Sequence, residues 1–278
     1  MDRTKEKREE AMLQEERKQY ILNLLSAKSS VTVAELSKAF QLSEVSVRKM
    51  LVKMEEQGEI KRTWGGAVSV EGSLQEYSHS EKVPKYLKEK LSIAKAAYEC
   101  INDGDAIMLD SGTTTLQIAR LIKKGPKRKI MVTTNAINIA MELAEAEDIP
   151  VVLIGGEVRH RILCCTGNFA DEMVRRLFFD KGFVSGNHLS LEHGFTTPNI
   201  GEANFKRAVM NSSKESFIVL DHSKFGDDSL SLICPIKEMD TVITDWGAPI
   251  QFVEQLRLKG VRVICGNEPV NYWKDTVV

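Results

Sequence analysis

Apolar positions recur at helical spacing in three successive stretches near the N-terminus. The first covers about Glu15 to Ala27, with Ile21, Leu24, Leu25 and the aliphatic stem of Arg17 on one face, and Lys28-Ser29-Ser30 ends it. Thr32 and Glu35 have the spacing of a capping box, so a second helix starts there and turns Val33, Leu36 and Phe40 to one side. After the short turn Gln41-Leu42-Ser43, Ser43 can cap a third helix, Glu44 to Gln57, that buries Val47, Leu51 and Met54; Gly58 suits the position that stops it. Glu59–Thr63 and Ala67–Val70 then read as two short strands joined at Trp64-Gly65-Gly66, a wing.

Beyond the wing the pattern changes. Glu71 to about Glu89 has no clear period and carries Gly72, Pro84 and several serines, which predicts an interdomain linker running into a helix from about Leu87 to Cys100. From Asp105 onward short apolar runs alternate with helical stretches. The runs are Ala106–Leu109, Ile130–Thr133, Val151–Ile154, Gly182–Ser185, Ser216–Leu220, Thr241–Thr244 and Val261–Ile264. The helical stretches are Thr114–Lys124, Ile137–Ala146, Asn168–Leu177, Glu202–Ser212 and Pro249–Lys259. Such alternation predicts parallel strands with crossover helices. The expected class is α/β: a charged tail at 1–14, a winged helix-turn-helix at 15–70, a linker at 71–89 and a mostly parallel α/β domain at 90–278.

Composition adds compartment and excludes some classes. With 278 residues, 42% hydrophobic and 28% charged, the chain has the make-up of a globular protein of two domains. No apolar run approaches the roughly 18 residues that span a bilayer, and the charged start, Met1 to Glu16, is unlike a secretory signal. A cytoplasmic location is expected. The five cysteines, Cys100, Cys164, Cys165, Cys234 and Cys265, are odd in number and lack C-x-x-C spacing, so they read as reduced, mostly buried thiols. A redox role for the adjacent Cys164 and Cys165 is the alternative. No metal or bound cofactor is expected.

Net charge is −1, so bulk charge does not mark a nucleic-acid binder. Placement matters more. From Glu15 to Val70 nine lysines and arginines face seven acidic residues. Opposite its buried face, the third helix carries Glu44, Ser46, Arg48, Lys49 and Lys53, and the wing adds Lys61 and Arg62. Arginine can bridge O6 and N7 of guanine, and lysine neutralises phosphate. A third helix set off by a three-residue turn is placed to enter a major groove. A plain helical bundle with a solvated charged face fits the periodicity as well; the wing directly after the helix favours the groove. The residues expected to meet double-stranded DNA are Ser43, Ser46, Val47, Arg48, Lys49 and Lys53, then Lys61, Arg62, Trp64, Gly65 and Gly66.

In the second half the informative turn follows the first apolar run: Asp110-Ser111-Gly112-Thr113-Thr114-Thr115. A strand ends, a glycine permits a tight turn, and hydroxyls open a helix whose unpaired amides and dipole suit a phosphate. Simple capping by Ser111 and Thr113 is the alternative. The turn lacks the Walker lysine and the dinucleotide fingerprint, which disfavours nucleotides. Thr133-Thr134-Asn135, then Gly155-Gly156-Glu157-Val158-Arg159, then Asp221-His222-Ser223-Lys224 follow other runs. Ligands bind at the carboxyl ends of strands in open parallel sheets, so these turns should converge, with Arg159 and Lys224 as cations for a phosphate.

These segments resemble the DeoR family of regulators. In the first half the resemblance lies in Glu16-Arg17, Val33-Ala34-Glu35-Leu36, Leu42 to Lys49, and Arg62-Thr63-Trp64-Gly65-Gly66-Ala67. In the second it lies in Gly104-Asp105, Asp110–Thr115, Thr133-Thr134-Asn135, Gly155-Gly156, Gly194 to Asn199, Glu202-Ala203 with Lys206-Arg207, Asp221 through Phe225, and Thr244-Asp245. The family usually shows Thr-Ile-Arg-Arg-Asp in the recognition helix and His-Gly-Gly-Ala at the wing. Here Ser46-Val47-Arg48-Lys49-Met50 and Trp64-Gly65-Gly66-Ala67 stand there. Arg48 therefore carries over as a DNA contact and Lys49 only as a charge, because lysine lacks the arginine fork. Met50 and Trp64 depart, so operator preference does not carry over.

The resemblance further implies a sensor domain like the fold of ribose-phosphate isomerases, glucosamine-phosphate deaminases and CoA transferases. It implies an effector that is a phosphorylated sugar or sugar alcohol, its phosphate on Ser111–Thr115, with Asp110, Asn135, Lys206 and Lys224 lining the rest. A symmetric homo-oligomer, dimer or tetramer, is expected of a regulator that reads repeated half-sites. The leading expectation is a repressor of a carbohydrate-use operon. The rivals are an isomerase- or deaminase-like enzyme using Asp110, Asp221 or His222, and a DNA-binding architectural protein without an effector.

Overall fold

The computed structural model describes residues 14–25, 30–69 and 77–268. The expected charged tail up to residue 13, the helix end at Lys28-Ser29 and the start of the expected linker, 71–76, lie outside them. The chain divides at about residue 72 into two compact units.

The first unit follows the apolar pattern. Helix α1 covers 14–25, α2 is Val33–Phe40 and α3 is Glu44–Glu56. Strands β1 (Ser30–Thr32), β2 (Ile60–Thr63) and β3 (Gly66–Ser69) form an antiparallel sheet in the order β1-β3-β2. The capping box at Thr32 and Glu35 forms as expected: the Glu35 amide donates to Thr32 Oγ1 (3.0 Å), and the Thr32 amide to Glu35 Oε2 (3.1 Å). Ile21, Leu25, Val33, Leu36, Val47, Leu51, Met54, Ile60 and Ala67 make one core. Strand β1 has no counterpart in the sequence reading, because three residues between two helices leave no period to detect.

The second unit is built around one parallel sheet. In chain order it contains α4 (His79–Lys82), α5 (Leu87–Glu99), β4 (Ala106–Leu109), α6 (Thr113–Lys124), β5 (Met131–Thr134), α7 (Ile137–Leu143) and β6 (Val151–Leu153). There follow β7 (Glu157–Arg159), β8 (Cys164–Thr166), α8 (Asn168–Arg175), β9 (Phe179–Val184), β10 (His188–Ser190), β11 (Gly194–Thr197) and α9 (Ile200–Asn211). The last are β12 (Ser213–Val219), β13 (Ser231–Cys234), β14 (Thr241–Thr244), α10 (Ile250–Leu258) and β15 (Arg262–Cys265). The seven apolar runs of the sequence are the seven parallel strands, in the order β15-β14-β12-β9-β4-β5-β6.

Alternate strand residues feed two cores. Ile107, Leu109, Phe217, Val219 and Ile243 pack with Ile93, Ala97, Ile118 and Ile122 of α5 and α6. Met108, Ile218 and Val242 pack with Val174, Phe205, Val209 and Phe252 of α8, α9 and α10. Burial on both faces is why these strands read as apolar runs rather than as alternating ones. The hairpin β7-β8 and the small antiparallel sheet β10-β11-β13 are additions that the runs did not announce.

The expectation of a bare linker through Glu89 is corrected. From Tyr77 the chain belongs to the second unit: Ser78 caps α4 in a capping box with Glu81, the His79 amide donates to the Arg161 carbonyl (2.8 Å), and His79 Nε2 pairs with Asn138 Nδ2 (2.9 Å). One turn of helix is too short to carry a period, so Pro84 and the serines dominated the reading.

Candidate functional site: a recognition helix and a strand-end pocket

On α3 the candidate DNA residues separate into two sets. Ser43 caps the helix, its hydroxyl accepting from the Ser46 amide (3.2 Å) and lying 2.9 Å from Ser46 Oγ. Arg48, Lys49 and Lys53 stand exposed on the outward face. Arg48 Nη2 meets Glu44 Oε2 at 3.2 Å, an exposed pair that costs under about 1 kcal/mol to release. Val47 is a correction: it is fully buried in the core and cannot touch DNA.

At the wing, Lys61 is exposed, and Arg62 is tied to α3, its Nε 2.7 Å and its amide 2.8 Å from the Glu55 carboxylate. Trp64 and Gly65 form the exposed two-residue turn, and the Gly65 carbonyl accepts from the Val33 amide (2.7 Å). Gly66 is a second correction. It is buried, and a Cβ there would sit 1.8 Å from the Val31 carbonyl oxygen, so glycine is required for β1 to approach β3.

In the second unit the expected turns do converge at the carboxyl end of the sheet. Asp110, fully buried at the end of β4, is the hub. Its carboxylate accepts from the Gly112 amide (3.1 Å), Thr115 Oγ1 (3.1 Å), the Ser185 amide (2.7 Å) and hydroxyl (3.0 Å), and Lys206 Nζ (2.5 Å). Burial disfavours the charge on Lys206, but Asp110 and Glu202 beside it outweigh that and raise its pKa. One turn earlier on α9, Glu202 accepts from Thr197 Oγ1 (3.0 Å) and pairs with Arg159 (3.1 Å). Charges of alternating sign thus run from the half-buried Arg159 through the buried Glu202 and Lys206 to Asp110.

Above it, Ser111 to Thr115 opens α6, whose first-turn amides have no partner within the helix. Gly112 is held close: a Cβ would lie 2.2 Å from Ser185 Oγ. Thr115 turns inward, donating to the Asp110 carbonyl (2.8 Å), so it builds the turn rather than facing a ligand. Burial pushes the pKa of the Cys164 thiol up to about 12. All five cysteines are free thiols.

On the neighbouring strand, Asn135 Nδ2 donates to the Cys165 carbonyl (2.8 Å), while its Oδ1 is buried without a partner. Thr133 lies within β5, below the strand end, and is buried. Gly155 is half-buried; Gly156, at φ 155°, leaves no room for a Cβ, which would meet the Thr166 carbonyl at 2.5 Å.

After β12, Asp221 is buried and accepts from the Ser223 amide (3.1 Å) and hydroxyl, while His222 Nδ1 lies 2.8 Å from Asp245 Oδ1. Burial works against a charged His222, but the hydrogen bond it makes to Asp245 outweighs that and raises the pKa. Lys224 ends this turn, half-buried.

The sequence reading missed two residues. Ser185 follows β9, the strand beside β4, and its place as the last residue of an apolar run was the available signal. Lys90 begins the buried face of α5, at positions 90, 93, 94 and 97; a lysine on an apolar helical stripe was the signal there.

Residues 17–73 match the family described as "DeoR-like helix-turn-helix domain", and residues 85–246 match "DeoR C terminal sensor domain". The chain belongs to the DeoR family. DeoR proteins are DNA-binding transcription regulators, so the helix-turn-helix of this one implies DNA as partner and its sensor domain implies a sugar-phosphate effector. Among its relatives, a protein named "Putative aga operon transcriptional repressor" of Escherichia coli O157:H7 is 35% identical over 255 residues, 91% of this chain and 94% of that protein. The "HTH-type transcriptional regulator GlpR" of Haloferax volcanii is 34% identical over 255 residues, 92% of this chain and 99% of that one. Among solved structures, a D-ribose-5-phosphate isomerase in complex with phospho-erythronic acid aligns with 50% of this chain and 53% of its own, at 16% identity and a TM-score of 0.36. Among the described residues, no helix is long and apolar enough to cross a membrane.

Proposed function

We propose that this DeoR protein represses a carbohydrate-use operon and that a phosphorylated sugar or sugar alcohol alters its affinity for the operator. Residues 15–70 read DNA, through Ser43, Ser46, Arg48, Lys49 and Lys53 on α3 and Lys61, Arg62, Trp64 and Gly65 at the wing. The effector's phosphate sits on the first turn of α6, at Ser111, Thr113 and Thr114. Asn135, Gly155, Arg159, Lys206 and Lys224 surround the rest of the molecule. The protein acts in the cytoplasm as a symmetric dimer or tetramer.

The observation that carries this reading is Asn135 Oδ1, a buried acceptor without a partner beside the free amides of α6. A buried polar atom left unpaired is costly, and a sugar hydroxyl satisfies it. Against an enzyme stands the engagement of Asp110: its carboxylate already accepts hydrogen bonds from four residues, which commits it to holding the turn. A thermal-shift screen with phosphorylated sugars and sugar alcohols, each also assayed for turnover, tests the reading. Ligands should raise the melting temperature of the full chain without being converted. Catalytic turnover would instead support the isomerase-like enzyme.

A further inference from the structure

His79 joins the start of the second unit to the frame of the pocket. It opens α4, the first described helix of that unit, and makes two hydrogen bonds. Its amide donates to the Arg161 carbonyl (2.8 Å), and its Nε2 lies 2.9 Å from Asn138 Nδ2. Burial, with the charges of Lys82, Lys90 and Arg120 nearby, lowers the His79 pKa, so the ring is neutral and can accept from the Asn138 amide. Asn138 Oδ1 is buried without a partner, so the hydrogen bonding of that side chain rests on His79.

Both bonds lead back to the pocket. Arg161 lies in the turn of the hairpin β7-β8, two residues from Arg159, which pairs with Glu202 (3.1 Å). Asn138 lies in the first turn of α7, three residues from Asn135 and its open acceptor Oδ1. The hairpin and the start of α7 are zipped together. The Cys165 amide donates to the Asn135 carbonyl (2.8 Å), Asn135 Nδ2 to the Cys165 carbonyl (2.8 Å), and the Ile137 amide to the Leu163 carbonyl (2.9 Å). A ligand that takes Asn135 Oδ1 or draws on Arg159 therefore acts on both segments that hold His79.

The parts of this junction are weakly held. None of the four residues of α4 is buried, and a single helical turn is unstable alone, so α4 keeps its shape only while docked. Strands β7 and β8 have three residues each and form a two-stranded sheet of their own, which is marginal by itself. Between them Leu163 holds φ 56°, left-handed backbone that a leucine keeps only under restraint. Moving elements are drawn from segments of this kind.

Resting on the effector reading above, we propose that His79 is the positioning residue through which the effector reaches the linker. The bound effector shifts the hairpin and the first turn of α7, and α4 passes between a docked and a released state. His79 and Asn138 need touch neither effector nor DNA, so losing either breaks the coupling and leaves both binding sites whole.

The test uses the full chain, a duplex selected by it from random DNA, and three probes: fructose 6-phosphate, sorbitol 6-phosphate and glycerol 3-phosphate. At least one probe should shift duplex affinity about fivefold or more. In His79→Ala that shift should fall below about twofold, while the affinities for probe alone and for duplex alone each change by less than about twofold. His79→Gln, which keeps a hydrogen-bonding atom near the place of Nε2, should restore most of the shift. Asn138→Ala removes the same bond from the other side and should lose it independently. Bound probe should also change hydrogen exchange of the His79 and Val83 amides by about threefold or more. A merely structural role would lower the melting temperature without altering the shift. A shift that survives both alanine variants, or α4 amides indifferent to bound probe, would overturn the role of His79 and leave the sensor reading intact. If no probe binds or shifts duplex affinity, the sensor reading falls and this role with it.

Discussion

Val47 and Arg48 are neighbours in the chain with opposite roles. Val47 is fully buried in the core of the first unit, and Arg48 is a half-exposed side chain on the outward face of α3. Arg48→Ala should therefore lower operator affinity by about 1–3 kcal/mol, the worth of a bidentate base contact, with the melting temperature unchanged. Fluorescence anisotropy with labelled operator and a circular-dichroism melt measure the two parts; unaltered affinity would remove α3 from the groove. Lys90 gives a pH prediction of definite sign. Its folded pKa of about 8 lies below the ordinary lysine value of 10.5, so the unfolded chain binds more protons between these values and stability rises with pH there. Asp221 and Lys224 of the turn, Lys82 of α4 and Glu89 of α5 act on it.

Elements explain where a single substitution is tolerated. In the wing sheet, Gly65 and Gly66 are adjacent, yet a Cβ at Gly65 meets nothing within 4 Å while one at Gly66 collides with β1. Gly66→Ala should cost about 1–3 kcal/mol in a urea titration of the full chain, and Gly65→Ala close to none. Lys206 joins α9 to the end of β4. Lys206→Met leaves the buried Asp110 without its cation and should cost about 3–5 kcal/mol, read as a lowered melting temperature, although Ser185 and Thr115 still donate to it. The same scale shows what the chain discloses about itself. The seven parallel strands were legible because both faces are covered and their apolar runs are continuous. The hairpin β7-β8 and the sheet β10-β11-β13 were not, because strands of three or four residues with charged or hydroxyl side chains look like loops. At the pocket, Asp110 was legible from its place at a strand end, and Lys206 only through the family resemblance. Their partnership with Ser185 was not, since it depends on β9 lying beside β4.

The whole molecule joins two units of different character: a small helical unit with a wing, and a sheet whose turns gather at one end. Net charge is −1, so long-range attraction to DNA is weak and the contacts of α3 and the wing must carry affinity. Regulation requires that ligand binding in the second unit change DNA binding by the first, and linkage makes that coupling reciprocal. The direct test is to select bound sequences from random DNA with the full chain. Anisotropy of the selected duplex is then titrated with the sugar phosphates that raise the melting temperature. At least one ligand should shift operator affinity about fivefold or more, and the duplex should shift the affinity for that ligand by the same factor. A ligand that stabilises the protein yet leaves operator affinity unchanged would contradict the account.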